Sequence, residues 1–399
     1  MKVIYSTASR LGGTGLANVA FHAAKALYQQ GSLEKVITYG NRQTVVPSRL
    51  VKVIRLQPAK IFSILSSRYY YSMKRMWLDW RAATYLERHA CDIFHGWTHE
   101  SLRSLKTAKR RGALTIVDRG NPHPRYSKRV LDEEYAIYGV SRRLDEAPAW
   151  LKPYDHWRRE LDEAVEELDV ADYVFVNSQF CHDTFVAEGY PKEKLVMIPR
   201  GFETSKYQPL PKQDEKFRVV FVGLLCVRKG LKYLLEAWDM LDLPDAELML
   251  VGNIHEELMP LMKLYLGRKN IVHMGFVPDP VQLYSRGTVF VFPSVDEGSA
   301  KVTYEAMACG LPVIATPNAG SLARDGKDGF IVPIRHVEPL VEKIRYFYDN
   351  RAAAVEMGKE ARRYIEQFTW EHYESTLIHT YGRLLDNKHE HPPSGPISI

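Results

Sequence analysis

Residues 217–241 read FRVVFVGLLCVRKGLKYLLEAWDML. A short apolar, β-branched run stops at Gly223, a basic pair precedes Gly230, and apolar residues then recur at helical spacing. That is the pattern of a buried strand feeding a helix through a glycine turn. The alternation continues in both directions. Upstream, strands are expected at 2–6, 35–39, 51–55, 92–96, 114–118, 172–177 and 194–199. Downstream they are expected at 247–252, 270–276, 288–294, 312–316 and 329–333, with helix-length segments between them. Such alternation predicts an α/β fold on parallel sheets.

A chain of 399 residues is long for one such unit. The Pro-containing polar stretch TSKYQPLPKQDEK is the expected break. The predicted organisation is a Rossmann-like N-terminal domain over 1–203, a linker over 204–216 and a second Rossmann-like domain over 217–369. A terminal helix follows at 370–386, and a polar, Pro-rich tail at 387–399 is expected to be disordered. Two doubly wound domains in tandem direct the carboxyl ends of their strands into a shared cleft, where open parallel sheets bind ligands.

Four scattered cysteines (Cys91, Cys181, Cys226, Cys309) have neither CxxC nor metal-ligand spacing and fit a reducing compartment. No run approaches the ~18 apolar residues of a membrane span, and the N-terminus lacks the apolar core of a signal peptide. A cytoplasmic protein is expected, peripheral on the inner face of a membrane where it meets one. The net charge of +6 is unevenly spread: residues 1–130 hold 23 Lys/Arg against 6 Asp/Glu, and residues 131–200 hold 8 against 16. A basic first third points to a polyanionic surface or substrate.

The segment FPSVDEGSAKVTYEAMACG (292–310) places Glu297 in the turn before a helix and Glu305 within that helix. Ser299 is the expected N-cap. Free amides at Gly298, Ser299 and Ala300, with the helix dipole, suit a phosphate. Carboxylates on either side suit neutral hydroxyls, which sugars and ribose carry. Taken alone, the spacing also fits a loop glutamate and a helix glutamate with nothing between them.

The surroundings separate these readings. FPSVDEGSAKVTYEAMACGLPVIATPNAGS closely resembles the signature of the retaining glycosyltransferases of family 4, which have the GT-B fold. FVGLLCVRKGLKYLLEAW, VNSQFCHDTFVAEGYPKEKLVMIPRGFE, DGKDGFIVP and FTWEHY extend the likeness over nearly all of residues 170–385. The resemblance implies two Rossmann-like domains, a C-terminal helix crossing back to the first, and a UDP- or GDP-sugar donor with neither metal nor other cofactor. It implies that Glu297 orients the transferred sugar, that Glu305 holds the ribose, and that Lys229, beside Arg228 in the loop after Gly223, pairs with the diphosphate. Two departures stand out: Leu224 occupies a position where the family commonly has arginine, and the usual EGFG reads Glu297-Gly298-Ser299-Ala300.

The glycine loop LGGTGLAN (11–18) is no dinucleotide fingerprint, because Asn18 replaces the third glycine and no acidic residue ends the second strand. By resemblance, Gly12 and Gly13 let the backbone approach donor phosphate or acceptor; the alternative is a tight turn only. In IVDRGNPHPRYSKRVLDEEY (116–135), His123 is the candidate for the histidine that many relatives hold near the reacting sugar, with Arg119 and Arg125 available to an anionic acceptor. His95, His99 and Trp97 in HGWTHES are secondary acceptor candidates, or else the satisfied end of a strand and a helix cap. Residues 66–112 mix Lys/Arg with aromatics, which fits a helix facing an anionic membrane or an amphipathic helix covering the sheet.

The resulting expectation is a retaining, metal-independent transferase that moves a sugar from a nucleoside diphosphate sugar to a hydroxyl of a saccharide or lipid-linked acceptor, with no nucleic-acid partner. A cell-envelope polysaccharide would suit such an acceptor. The alternatives are a nucleotide-sugar epimerase on the same fold and a catalytically silent sugar- or polyanion-binding relative, which Leu224 favours.

Overall fold

The computed structural model describes residues 1–55, 67–140, 156–212 and 214–390. All thirteen expected strands form. The first seven are β1 (Val3–Thr7), β2 (Leu33–Thr38), β3 (Val51–Val53), β4 (Ile93–Trp97), β5 (Leu114–Arg119), β6 (Tyr173–Val176) and β7 (Leu195–Met197). The next six are β8 (Phe217–Val222), β9 (Ala246–Val251), β10 (Ile271–Gly275), β11 (Val289–Phe292), β12 (Val313–Ala315) and β13 (Gly329–Ile331).

They make two sheets, ordered β3-β2-β1-β4-β5-β6-β7 and β10-β9-β8-β11-β12-β13, with parallel neighbours throughout. Helices cover both faces of a parallel sheet, so its central strands are buried on both sides and read as apolar runs. Every residue of β1, β8 and β11 is buried accordingly. In each sheet the strand order reverses beside the first strand, between β1 and β4 and between β8 and β11. The crevices that open there lie beside the loops carrying Gly12–Gly15 and His99 in one sheet, and Lys229 and Glu297 in the other.

The long helix Trp370–Glu390 returns to the first sheet. Trp370, Tyr373, Leu377, Tyr381 and Leu384 join Val3, Tyr5, Val19 and Phe175 in one buried cluster. Trp370 stacks on His22 at 4.0 Å between centroids, and Glu374 accepts from Lys25 (2.9 Å). A cap of one domain by the end of the other thus rests on apolar burial with polar ties at Glu374, Tyr381 and Lys388. Residues 387–390 continue this helix, so the expectation of a disordered tail from 387 is corrected there; 391–399 lie outside the described residues.

The basic and acidic thirds meet. Lys106, Lys109 and Arg110 of the helix Leu102–Arg110 pair with Glu166, Asp172 and Glu87. The Lys106 and Lys109 pairs join the basic segment to the acidic one inside the domain. The helix Ser67–Leu86 buries Leu78, Ala82, Tyr85 and Leu86 against the first sheet and leaves Tyr71, Met76 and Trp80 exposed. Residue 66, where the expected membrane-facing segment begins, lies outside the described residues. Among the described residues no helix is long and apolar enough to cross a membrane.

Candidate active site

The loop after β8 lies directly on the loop after β11. Val295 N and Ser294 Oγ both donate to the Arg228 carbonyl, at 3.0 and 3.1 Å. Gly230 (φ 65°) makes the approach possible, since a Cβ there would stand 2.0 Å from the Pro293 carbonyl oxygen. The contact brings three charged side chains together. Glu297 Oε1 accepts from Arg228 Nη1 (2.5 Å) and from Lys229 Nζ, and Arg228 also donates to the Asp296 carbonyl (2.8 Å). Lys229 is nearly buried, its Nζ 5.1 Å from the centre of the Phe292 ring. Burial, then the Arg228 guanidinium, pulls its pKa down to about 7, while the contacting Glu297 carboxylate works the other way. With Lys229 protonated, one carboxylate between two cations leaves the cluster with a positive surplus.

Gly223 (φ 149°) donates its N–H to Val251 and shapes the turn, and Leu224 projects into solvent. Ser299 is not the N-cap: the helix Lys301–Ala308 starts from Ala300, and the Ser299 hydroxyl bonds Tyr304 Oη instead. The Ala300 amide donates to the Ala319 carbonyl (2.9 Å). That amide is committed, contrary to the expectation that it is free to meet a phosphate.

Glu305 does not share Glu297's surroundings. It is buried, with Oε1 accepting from Tyr207 (2.8 Å) and Lys301 (2.9 Å) and Oε2 from Tyr284 (2.9 Å). The eight-residue spacing puts the two carboxylates on the same loop–helix unit with different partners, and Glu305 accepts hydroxyls from its own chain.

Across the seam, the first domain has a cavity of about 350 Å³ at the carboxyl ends of its strands. Thr7, Trp97–Glu100, Asp118–Asn121, Gly15, Arg75 and Arg200 line it. Arg119 Nε donates to the Pro122 carbonyl (3.1 Å), and its Nη1 lies 2.8 Å from His99 Nε2. His99 has a positive φ (75°), and its backbone amide is held by Glu167, whose other oxygen accepts from Ser101 N (2.6 Å). Asp79 accepts from the Arg103 and Ser104 amides at 2.7 and 2.8 Å. Carboxylates from two neighbouring helices thus satisfy the open amides of the helix Leu102–Arg110 and set the cavity's wall. Burial raises the Asp118 and Glu100 carboxyls to about 7 each; Arg200 opposes this at Asp118, and the bond from Ala8 N (2.7 Å) opposes it at Glu100.

The domains touch beside this cavity. A Cβ on Gly298 would fall 1.7 Å from the Gly120 carbonyl oxygen. Ser178 Oγ donates to the Gly298 carbonyl (2.6 Å), Ser127 Oγ to Asp296 (2.9 Å) and Asn318 Nδ2 to Tyr126 Oη (3.0 Å). Arg335 crosses to Glu134 and Glu133 at 2.7 and 2.8 Å.

Several expected acceptor residues stand elsewhere. His123 is fully buried, ringed by Phe185 and Tyr190, and its Nδ1 accepts from Arg125 N (3.3 Å) as the cap of the helix Pro124–Tyr138. It does not line the cleft cavity, and burial lowers its pKa to about 4. His95 is buried beneath the returning helix, 2.5 Å from Tyr381 Oη, and burial lowers its pKa to about 3. Gly12 closes on Gln43 and Gly13 on Ala17, inside their own domain; Gly15 and Leu16 are the loop residues that reach the cavity. Arg125 is exposed and does not line it. Glu100, Arg75 and Arg200 do line it and were missed as site residues, although each lay within a stretch singled out above: HGWTHES, residues 66–112 and MIPRGFE. Among the described residues, no group of three or more His, Cys, Asp or Glu is arranged to hold a metal ion.

Residues 13–206 match the family described as Glycosyltransferase Family 4, and residues 216–350 match Glycosyl transferases group 1. The sulfoquinovosyl transferase SQD2 of Arabidopsis thaliana is 34% identical over 166 residues, 40% of this chain and 32% of that protein. The capsular polysaccharide biosynthesis glycosyltransferase CapM of Staphylococcus aureus is 27% identical over 214 residues, 51% of this chain and 55% of that protein. The chain thus spans about a third and about half the length of these curated relatives. The fold of Anabaena HepE, solved in complex with UDP, superposes with a TM-score of 0.65 over 96% of this chain and 100% of that one, at 17% identity.

Proposed function

The chain belongs to the group 1, family 4 glycosyltransferases, and from that premise we propose that it transfers a sugar from a nucleoside diphosphate sugar to a hydroxyl acceptor, with retention of anomeric configuration and without a metal. The observation that carries this reading is the Arg228–Lys229–Glu297 cluster at the switch point of the second sheet, facing the first domain's cavity across the Gly298–Gly120 contact.

A diphosphate carries more charge than one carboxylate. On arrival it takes Lys229 and Arg228 from Glu297, and Glu297 is then free to accept hydroxyls of the sugar being transferred. Lys229, desolvated and already positioned, meets the charge that develops on the departing diphosphate, where preorganised electrostatics contributes most. The acceptor lies in the first-domain cavity, its hydroxyl directed by Asp118 and its remaining groups by Arg119 and Arg200. The leaving phosphate takes the acceptor's proton on the same face, which gives retention. Glu305 reaches the ribose only by exchanging the Tyr207 or Tyr284 hydroxyl for a ribose hydroxyl. The acceptor is a saccharide or a lipid-linked saccharide; exposed Tyr71, Met76 and Trp80 would suit approach to a lipid surface.

The test is the product. With donor and acceptor turning over in excess EDTA, proton NMR of fresh product is expected to show the donor's anomeric configuration. Inverted product, or activity abolished by EDTA and restored by a divalent ion, would overturn the reading.

A further inference from the structure

A second cavity, of about 460 Å³, lies in the second domain away from the cleft. Gly287 and Thr288, in its wall, lead into β11, whereas Glu297 lies past that strand's other end. The four residues of β11 at about 3.3 Å each set the two regions roughly 13 Å apart. One side of the cavity is linker (Pro209, Leu210, Lys212) and the other is the helix Arg351–Ile365.

Leu311, Ala354 and Val355 give it an apolar floor, and Lys212, Lys359, Arg362 and Arg363 rim it. None of the described residues lining it is acidic. Arg362 is structural: it donates to the carbonyls of Tyr207 and Ala308 and to Glu366, tying linker to domain. Lys359 and Arg363 pair only with Glu356 and Glu360 on the exposed turn of their own helix. Exposed pairs at that spacing hold a side chain weakly, so both cations remain available to a better-placed anion.

We propose that this cavity binds an amphiphilic organic anion, with a phosphate or carboxylate head on the cationic rim and an apolar body against Leu311, Ala354 and Val355. Charge complementarity selects the head, and the apolar floor gives an inorganic ion nothing to bury. The occupant touches linker and domain at once. The cleft differs in its lining, since its first-domain cavity carries Asp118 and Glu100.

The probe is decyl phosphate below its micellar concentration, titrated calorimetrically into the full chain and into Val355→Glu and Lys359→Glu. Both positions are exposed, Val355 by 49%, and a melting curve for each variant checks that it folds. We expect saturable 1:1 binding to the wild type, weakened at least tenfold in each variant, with decanoate behaving alike and decanol and inorganic phosphate at least tenfold weaker. Unchanged affinity in both folded variants, no saturable binding, displacement by UDP at equal stoichiometry, or inorganic phosphate binding as tightly would each overturn the proposal. Because the readout is binding, its failure leaves the transferase reading standing, and the converse also holds.

Discussion

Replacing Gly298 with alanine probes the contact on which the two-domain site depends. An ideal Cβ at 298 stands 1.7 Å from the Gly120 oxygen and 2.6 Å from the Gly120 carbonyl carbon. Carbon–oxygen contacts close at about 3.3 Å, so the two backbones must part by about 1.6 Å. Gly298 does not occupy the left-handed region, so alanine suits its backbone and only the contact is perturbed. Neither side yields locally: Ser178 bonds the Gly298 carbonyl, Asn177 Nδ2 donates to the Gly120 carbonyl (3.1 Å), and Gly320 packs against Gly298. Resisted, the overlap costs about 1–3 kcal/mol, as overpacking does. Relieved by domain displacement, it moves the acceptor cavity by more than 1 Å from Lys229, and such misplacement costs on the order of 100-fold in rate, or about 2.7 kcal/mol. We therefore expect steady-state nucleoside diphosphate release by Gly298→Ala to fall about 100-fold in kcat/KM. Calorimetric affinity for the nucleoside diphosphate, which the proposal places on the second domain, should change less than threefold. Wild-type turnover, or affinity lost as fully as turnover, would refute the reasoning.

The remaining predictions concern single charges. Lys229, whose pKa burial pulls down to about 7 against the opposing Glu297 contact, is incompletely protonated at pH 8 when unliganded and is charged by a bound diphosphate. Binding at pH 8 should take up a sizeable fraction of a proton, measured in buffers of different ionisation enthalpy; equal uptake in Lys229→Met would contradict this. Asp118 has its pKa raised to about 7, so the folded state binds more protons than the unfolded chain between about pH 4 and 7, and stability falls as pH rises through that window. Asp118→Asn should therefore gain in melting temperature over wild type by several degrees more at pH 8 than at pH 4.5, with at least tenfold lower turnover; a pH-independent difference would count against it. His123→Phe removes a buried cap and no cleft group, so kcat should stay within about threefold; a loss beyond tenfold would return His123 to the site.

The fold was legible because parallel strands buried on both faces must be apolar and must alternate with helices, and strands such as β8 and β11 obey that rule without exception. The Lys229–Glu297 cluster was partly legible, since the loops that follow β8 and β11 leave neighbouring strands at one switch point. Side-chain direction was not. Nothing local in the sequence distinguishes a histidine that caps a helix under Phe185 from one that faces a cleft, and His123 proved to be the former. Glu305 was read from its spacing and from the family resemblance, neither of which shows its partners Tyr207 and Tyr284, which come from the linker and from a helix about twenty residues upstream. The first-domain cavity is likewise assembled from β1, β4, β5, Arg75 and Arg200, which only the folded topology brings together.

The most direct test of the central claim is nucleoside diphosphate release from a panel of UDP-, GDP- and ADP-sugars, with and without saccharide and lipid-linked acceptors, by wild type and Lys229→Ala. The account predicts release from one donor that rises with one acceptor class and falls at least 100-fold in the variant. Release that ignores every acceptor, or that survives in Lys229→Ala, would contradict it.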